Sequence, residues 1–137
     1  EALALPDYRR RLVHYVEDNE TNVEVMRGIL AQRPQVLLEV SGTGADAMRS
    51  IRARQPDLIL LDMHLPDTSG QQLLEQLKDD DATAGIPVVV VSADATARQI
   101  EAAMLAGASL YLTKPVSVQE LLAAVDELLE RSSTRFG

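Results

Sequence analysis

Five polar side chains that could together transfer a phosphoryl group follow short apolar runs in this 137-residue chain. They are two adjacent acids, a third acid, a serine and a lysine: Glu17, Asp18, Asp62, Ser92 and Lys114. Carboxylates that lie close together repel one another unless a cation neutralises them, and oxygen ligands without cysteine suit a hard ion such as Mg²⁺. The lysine ammonium and the serine hydroxyl can hold phosphate oxygens. This combination predicts phosphoryl transfer to a carboxylate, with the central Asp62 as the acceptor.

These side chains meet only if the apolar runs are parallel strands of one sheet. Residues 58–61 and 88–91 are continuous apolar runs, which is typical of strands buried on both faces, and Pro66 prevents the first from continuing. Further strands are predicted over residues 12–16, 36–40 and 110–113. Ligands of open α/β sheets bind at the carboxyl ends of the strands, which is where the five polar side chains stand.

Helices with one apolar face alternate with these strands. Each begins after a residue that commonly caps helices, namely Asn19, Thr43, Ser69, Thr96 and Ser117. Inward-facing residues are predicted at helical spacing in four of them: Val23, Met26, Ile29 and Leu30; Ala47, Met48 and Ile51; Leu73, Leu74 and Leu77; Leu121, Leu122, Val125, Leu128 and Leu129. The fourth helix carries Ile100, Met104 and Leu105 and ends at Gly107. These alternations predict an α/β fold with a parallel sheet covered by helices on both faces.

The composition restricts the class of protein. With 46% apolar residues the chain forms one globular domain, predicted over residues 11–131, with an arm or linker over 1–10 and a frayed tail over 132–137. The net charge of −8 argues against direct binding to nucleic acid or to an anionic membrane. The absence of cysteine excludes disulfides and thiolate metal sites and agrees with a cytoplasmic location. No apolar run approaches the ~20 residues of a membrane span.

Taken together, four short motifs resemble the receiver domain of two-component response regulators. They are Val16-Glu17-Asp18-Asn19, Leu61-Asp62-Met63-His64-Leu65-Pro66 with Gly70, Val91-Ser92-Ala93, and Tyr111-Leu112-Thr113-Lys114-Pro115. The resemblance covers roughly residues 11–130. It implies a flavodoxin-like (βα)5 three-layer sandwich with strand order 2-1-3-4-5. It also implies a phosphorelay signal receiver that accepts a phosphoryl group from a phosphohistidine onto Asp62.

The resemblance also implies the metal ligands. Asp18 and Asp62 would bind Mg²⁺ through their carboxylates, Glu17 through water, and His64 through its backbone carbonyl. The family commonly has Asp at the first of these acids, although Glu is frequent there. From the residues alone, the side chain of His64 could instead be a metal ligand or a general acid, but one histidine makes a poor transition-metal site. His14 lies in the middle of a predicted strand, so we expect it in the core or a second layer.

The phosphate-binding and switch residues follow from the same resemblance. Ser92 and Lys114 would hold the phosphoryl oxygens, and Ser92 stands where the family more often has Thr. On phosphorylation Ser92 would move toward the phosphoryl group and Tyr111 would turn into the vacated space. This movement would change the face formed by strand 4, helix 4, strand 5 and helix 5. His64 and Asp94 match the family's variable positions that tune the lifetime of the phosphate.

The implied partners are a histidine kinase or a histidine phosphotransfer domain. The acidic surface and the aliphatic face of residues 96–130 are the predicted partner surfaces, and a homodimer through the last helices stays open. The chain lacks an initiator Met and begins with a linker-like arm. We therefore expect a receiver cut from a longer protein such as a hybrid sensor kinase, with a stand-alone regulator as the alternative. Only seven residues follow Glu130, so no output domain is expected after it.

Two other functions remain open from the sequence. One is a Mg²⁺-dependent phosphohydrolase with an aspartyl-phosphate intermediate, for which His64 would be a weak general acid and the chain is short for a substrate domain. The other is a scaffold receiver that is not phosphorylated, but such a protein is expected to lose Asp62 or Lys114. A nucleotide-binding protein is disfavoured because neither glycine-rich phosphate loop is present. We therefore predict a phosphoacceptor signalling domain rather than an enzyme.

Overall fold

The computed structural model of the chain describes residues 10–134. Residues 1–9 of the predicted arm and residues 135–137 of the predicted tail lie outside this range. The elements, in chain order, are β1 (Arg11–Val16), α1 (Glu20–Leu30), β2 (Val36–Ser41), α2 (Gly44–Ala53), β3 (Leu58–Leu61), α3 (Gly70–Asp79), β4 (Val88–Ser92), α4 (Ala97–Leu105), β5 (Leu110–Thr113) and α5 (Val118–Thr134). Helix α5 thus continues three residues past the predicted domain boundary at residue 131.

The five strands form one sheet in the order β2-β1-β3-β4-β5, and every neighbouring pair is parallel. This confirms the predicted α/β class and the flavodoxin-like strand order. Within the described residues, no helix is long and apolar enough to cross a membrane.

The predicted caps begin the helices as expected. The side chains of Asn19, Thr43 and Ser69 accept hydrogen bonds from the backbone N–H groups three residues later, at 2.9, 3.0 and 3.1 Å. Thr96 and Ser117 make the same contact at 3.3 Å. Each such cap satisfies a backbone donor that the first helical turn leaves unpaired and stabilises the helix by about 1 kcal/mol. The caps therefore stabilise the starts of the helices, which follow the carboxyl ends of the strands.

The core consists of two layers, one on each face of the sheet. On β3, Leu58 and Leu60 pack with α1 and α5, whereas Ile59 and Leu61 pack with α2 and α3. All four side chains are fully buried, as predicted for a strand covered on both faces. Burying a side chain of this size contributes about 1.5–3 kcal/mol, so β3 is a rigid support for the residue that follows it.

Helix α4 is the least covered of the helices. Only Ala103 is buried in it, whereas Met104 is partly exposed and Leu105 is 82% exposed. Gly107 ends the helix with a φ of 113°, a conformation that favours glycine, and the methylenes of Lys78 lie beside it. The apolar residues of α4 are thus divided between the core and an exposed surface next to β5.

Candidate functional site

The three predicted acids meet at the carboxyl edge of the sheet. Val16 and Leu61 are register partners in the β1–β3 pair, so Glu17 and Asp62 leave the sheet side by side. One carboxylate oxygen from each of Glu17, Asp18 and Asp62 lies within 4.8 Å of the others. Glu17 and Asp62 are 2% and 5% exposed, whereas Asp18 is exposed. Two buried carboxylates thus stand beside a third that solvent reaches.

Lys114 brings a positive charge to these acids from the end of β5. Its backbone N–H donates to the carbonyl of Ser92 at 2.8 Å, which aligns the ends of β4 and β5. Its Nζ lies 2.8 Å from Glu17 Oε1 and 3.4 Å from Asp62 Oδ1. The ammonium therefore contacts both buried carboxylates and neutralises only part of their combined charge.

The two buried acids differ in their proton affinity. Burial and the negative charge of Glu17 raise the pKa of Asp62, although Lys114 acts in the opposite direction. Burial would also raise the pKa of Glu17, but hydrogen bonds from Lys114, from the backbone N–H of Asn19 and from Tyr15 outweigh it and lower that pKa. Asp62 is therefore the acid whose charge is the less well compensated.

The predicted switch residues Ser92 and Tyr111 both bind to Asp94. Ser92 is fully buried and its Oγ accepts a hydrogen bond from the backbone N–H of Asp94 at 3.1 Å. The hydroxyl of Tyr111 donates to the backbone carbonyl of Asp94 at 2.6 Å, while its ring packs against the α2–α3 side of the core. The loop after β4 thus connects the two side chains through one residue.

The loop after β3 is tightly folded. His64 and Ser69 form an isolated antiparallel bridge, and the N–H of Gly70 donates to the carbonyl of Met63 at 2.8 Å. A Cβ at Gly70 would lie 2.5 Å from Met63 Cα and 2.6 Å from the carbonyl oxygen of Asp62. The loop therefore requires glycine at this position. The side chain of His64 is exposed at the mouth of the site.

Asp94 is partly buried in the loop after β4. Its pKa is lowered, chiefly by the hydrogen bonds from Thr96 and to a smaller extent by the charge of nearby His64. His64 and Asp94 thus lie close enough to interact electrostatically.

Asp67 ties the β3 loop to α2, a contact that the sequence did not predict. Its two carboxylate oxygens accept hydrogen bonds from the N–H groups of Gly44 and Ala45 at 2.8 and 3.0 Å. These donors lower the pKa of Asp67, and they are the unpaired groups of the first turn of α2. An acid that follows a proline in a loop is only a weak sequence signal for such a cap.

Three further donors to Glu17 were not predicted from the sequence. They are the hydroxyl of Tyr15, the backbone N–H of Asn19 and the side-chain amide of Asn22. A usable signal existed for Tyr15, because side chains two residues apart on a strand point to the same side.

His14 lies apart from this site in the middle of β1, and it is buried as predicted. Its Nε2 is 2.7 Å from Ser41 Oγ and its Nδ1 is 3.7 Å from a carboxylate oxygen of Glu39. Burial lowers the pKa of His14, although Glu39 opposes this effect.

The donor set fits Mg²⁺. The three clustered groups offer only carboxylate oxygens, one of them open to solvent, and this suits an ion that retains several water ligands. Burial, and after it the charge of Glu17, raises the pKa of Asp62, so a cation bound beside these acids would favour its charged form.

Comparisons with known proteins agree with the class that this geometry defines, a phosphoacceptor signalling domain. The chain belongs to the response regulator receiver domain family, whose model matches residues 13–126. It is similar to the polar-differentiation response regulator DivK of Brucella anthropi, with 34% identity over 117 residues that cover 85% of this chain and 94% of that protein. The chain is thus a receiver domain of the two-component type.

Solved structures share its fold. The signal receiver domain of a LuxO repressor protein from Vibrio parahaemolyticus is 27% identical with a TM-score of 0.85, covering 92% of this chain and 95% of that chain. The receiver domain of a sensor histidine kinase from Pseudomonas aeruginosa is 25% identical with a TM-score of 0.80, covering 88% and 98%. That protein has a magnesium ion coordinated in its active-site cleft.

Proposed function

We propose that this receiver domain takes a phosphoryl group from a phosphohistidine onto Asp62 in a Mg²⁺-dependent reaction. The observation that carries the proposal is the position of Asp62. It is a buried carboxylate with a raised pKa, in the centre of a strand-end cluster and within reach of the Lys114 ammonium. The partner that supplies the phosphoryl group is a histidine kinase or a histidine phosphotransfer domain.

The residues divide the chemistry among them. An oxygen of Asp62 forms a bond to phosphorus as the bond between phosphorus and the donor imidazole nitrogen breaks, and that nitrogen leaves with its electron pair. Lys114 moves from Glu17 to a phosphoryl oxygen, a short displacement because its Nζ is already 3.4 Å from Asp62 Oδ1. Mg²⁺, held by Asp18, Asp62, the His64 carbonyl and, through water, Glu17, would supply charge neutralisation for the transferring group.

The contacts of Asp94 suggest how the modification changes the surface. If Ser92 turns its hydroxyl toward a phosphoryl oxygen, its bond to the Asp94 N–H breaks and the loop after β4 is released. Because the carbonyl of Asp94 holds the Tyr111 hydroxyl, the ring shifts with the loop. The affected face contains β4, α4, β5 and α5, on which Met104 and Leu105 are already exposed. Phosphorylation thus shifts a balance between two arrangements of this face.

The phosphate lifetime depends on the residues at the mouth of the site. The side chains of His64 and Asp94 flank Asp62 and control the access of water to the aspartyl phosphate. The domain is a signalling module rather than an enzyme that acts on many substrate molecules, and with a net charge of −8 it binds proteins rather than nucleic acid or membranes.

The proposal is tested by intact mass after incubation with acetyl phosphate, with and without Mg²⁺. The wild type is expected to gain one phosphoryl group, about 80 Da for the group on a carboxylate nucleophile. Asp62→Asn should gain nothing, whereas Asp46→Asn, which removes an exposed carboxylate on α2, should behave as the wild type does. Failure of the wild type to gain mass, together with failure to bind beryllofluoride, would indicate a scaffold receiver instead. Repeated release of phosphate from a simple phosphate monoester would favour a phosphohydrolase.

A further inference from the structure

The carboxylate of Glu17 accepts an unequal number of hydrogen bonds at its two oxygens. Oε1 accepts from the Tyr15 hydroxyl at 3.0 Å, from Asn22 Nδ2 at 3.2 Å and from Lys114 Nζ at 2.8 Å. Oε2 accepts only from the backbone N–H of Asn19, at 3.2 Å, among the contacts of the described residues. A carboxylate oxygen has about two lone-pair sites, so three donors leave Oε1 no capacity for another. Oε2 is therefore the oxygen that a metal-bound water can use.

The donors to Oε1 come from three separate parts of the fold. Tyr15 lies on β1 and is 1% exposed, and its ring belongs to the core between the sheet and α1 and α5. Asn22 is in the first turn of α1, and Lys114 follows β5. Tyr15 and Asn22 are uncharged donors, whereas the lysine is also within reach of Asp62.

The difference between the uncharged donors and Lys114 becomes important once a phosphoryl group is present. Lys114 then leaves Glu17 for a phosphoryl oxygen, and Glu17 loses its charged partner. Tyr15 and Asn22 still fill Oε1 after this departure, so the carboxylate keeps its orientation. Without them a side chain with three rotatable bonds would be held by the Asn19 N–H alone.

We propose that Tyr15, assisted by Asn22, is a positioning residue for phosphoryl transfer, which fixes the Glu17 carboxylate so that Oε2 stays available to the hydrated metal while Lys114 serves the phosphoryl group. This inference rests on the proposed function, since it assigns Glu17 a role toward Mg²⁺. Tyr15 acts through Glu17 and contacts neither the metal nor the phosphoryl group.

The test measures the Mg²⁺ dissociation constant by titration calorimetry for the wild type and Tyr15→Phe. Loss of the hydroxyl should weaken Mg²⁺ binding roughly tenfold, the lower end of the range for partners that orient metal-binding groups. In a Glu17→Ala background the same substitution should change nothing further. The matched control is Thr83→Val, which removes another buried hydroxyl, one that bonds to the Leu77 carbonyl at 2.6 Å far from the acids. It should leave the dissociation constant unchanged.

A kinetic readout separates positioning from general damage. Tyr15→Phe should take up the phosphoryl group from acetyl phosphate more slowly than the wild type at low Mg²⁺ and at the wild-type rate at saturating Mg²⁺. A defect that saturating Mg²⁺ does not rescue would overturn the inference. Asn22→Ala, at the surface of α1, provides a second variant if Tyr15→Phe does not fold, and it should shift Mg²⁺ affinity in the same direction.

The outcomes distinguish the two proposals. If the wild type binds Mg²⁺ and is phosphorylated, but Tyr15→Phe binds Mg²⁺ equally well, the proposed function stands. The positioning role proposed for Tyr15 is then contradicted. An equal loss of affinity in the Glu17→Ala background would also overturn it, because the effect would not pass through Glu17. If the wild type binds no Mg²⁺, both proposals are wrong.

Discussion

At the residue scale, Asp62 carries a negative charge that its surroundings in the fold disfavour. It lies buried beside a second buried acid, and the nearby ammonium is closer to Glu17 than to Asp62. Sites of this kind commonly reduce the stability of the protein that carries them. The raised pKa of Asp62 expresses this conflict, because the folded protein binds a proton at Asp62 more tightly than the unfolded chain does.

Asp62→Asn is therefore expected to stabilise the metal-free protein by about 1 kcal/mol at pH 7, as measured by urea unfolding. Because the folded-state pKa of Asp62 lies above the unfolded one, the group favours folding at low pH, and this contribution is lost as the pH rises through the folded pKa. The difference between variant and wild type should consequently shrink when both are measured at acidic pH. An Asp62→Asn protein no more stable than the wild type at pH 7 would contradict this account.

The sequence predicted which side chains meet at the edge of the sheet, but it did not predict the hydrogen bonds that orient them. The acids, Ser92 and Lys114 each follow an apolar run, so their convergence required only that the strands be parallel. The donors to Glu17 depend on the height of α1 above the sheet and on the side-chain torsions of Tyr15 and Asn22. These quantities come from packing, which residue spacing does not encode.

At the scale of elements, the loop after β3 is held at two points. Gly70 lets the chain pass against Met63, and Asp67 binds the first turn of α2. The loop begins at Asp62 and includes the carbonyl of His64, so its shape determines the position of two proposed metal ligands. The contacts that hold this loop therefore support the proposed metal site as well as the fold.

A pair of glycine substitutions tests this requirement. Gly70→Ala should destabilise the protein by about 1–3 kcal/mol, because the new Cβ would overlap backbone atoms that cannot move aside easily. Gly28→Ala, in the exposed last turn of α1 with nothing within 4 Å of its Cβ, should instead stabilise it by up to about 1 kcal/mol. Thermal and urea unfolding of both variants measures the contrast. Equal effects of the two substitutions would show that the close approach at Gly70 is not real.

Helix α4 shows why a predicted element does not predict its surroundings. The helix forms between Thr96 and Gly107 as the sequence indicated, but its apolar residues are divided between the core and the surface. Periodicity describes which side chains share a face, and it does not say whether another element covers that face. Leu105 is exposed because of the position that α4 takes beside β5.

At the scale of the whole molecule, the strand order illustrates the same limit. Alternating strands and helices predict a parallel sheet, since each crossover returns the chain in the same direction. The order β2-β1-β3-β4-β5 depends on the side to which each crossover turns, and several orders satisfy the same spacing. The order was expected because the motifs resemble a known family, and the structure confirms it.

Mg²⁺ should stabilise the whole domain, because it would bind the folded arrangement of acids and not the unfolded chain. At a free Mg²⁺ concentration 100 times its dissociation constant, the free energy of unfolding should rise by about 2.7 kcal/mol, and chelation with EDTA should reverse the gain. NaCl at equal ionic strength is the control for general screening of the net charge of −8. Equal stabilisation of Asp18→Ala and the wild type would argue against a site at these acids.

The contact between Lys114 and Glu17 joins residues 97 positions apart, and it has a consequence for biosynthesis. Synthesis proceeds from the N-terminus, so a nascent chain exposes all three acids long before β5 emerges from the ribosome. Until then the three carboxylates lack the ammonium of Lys114, and β4 lacks its last neighbour in the sheet. The arrangement of acids and lysine therefore forms only when nearly the entire domain has been made, and a chain terminated before β5 carries the proposed acceptor Asp62 without Lys114.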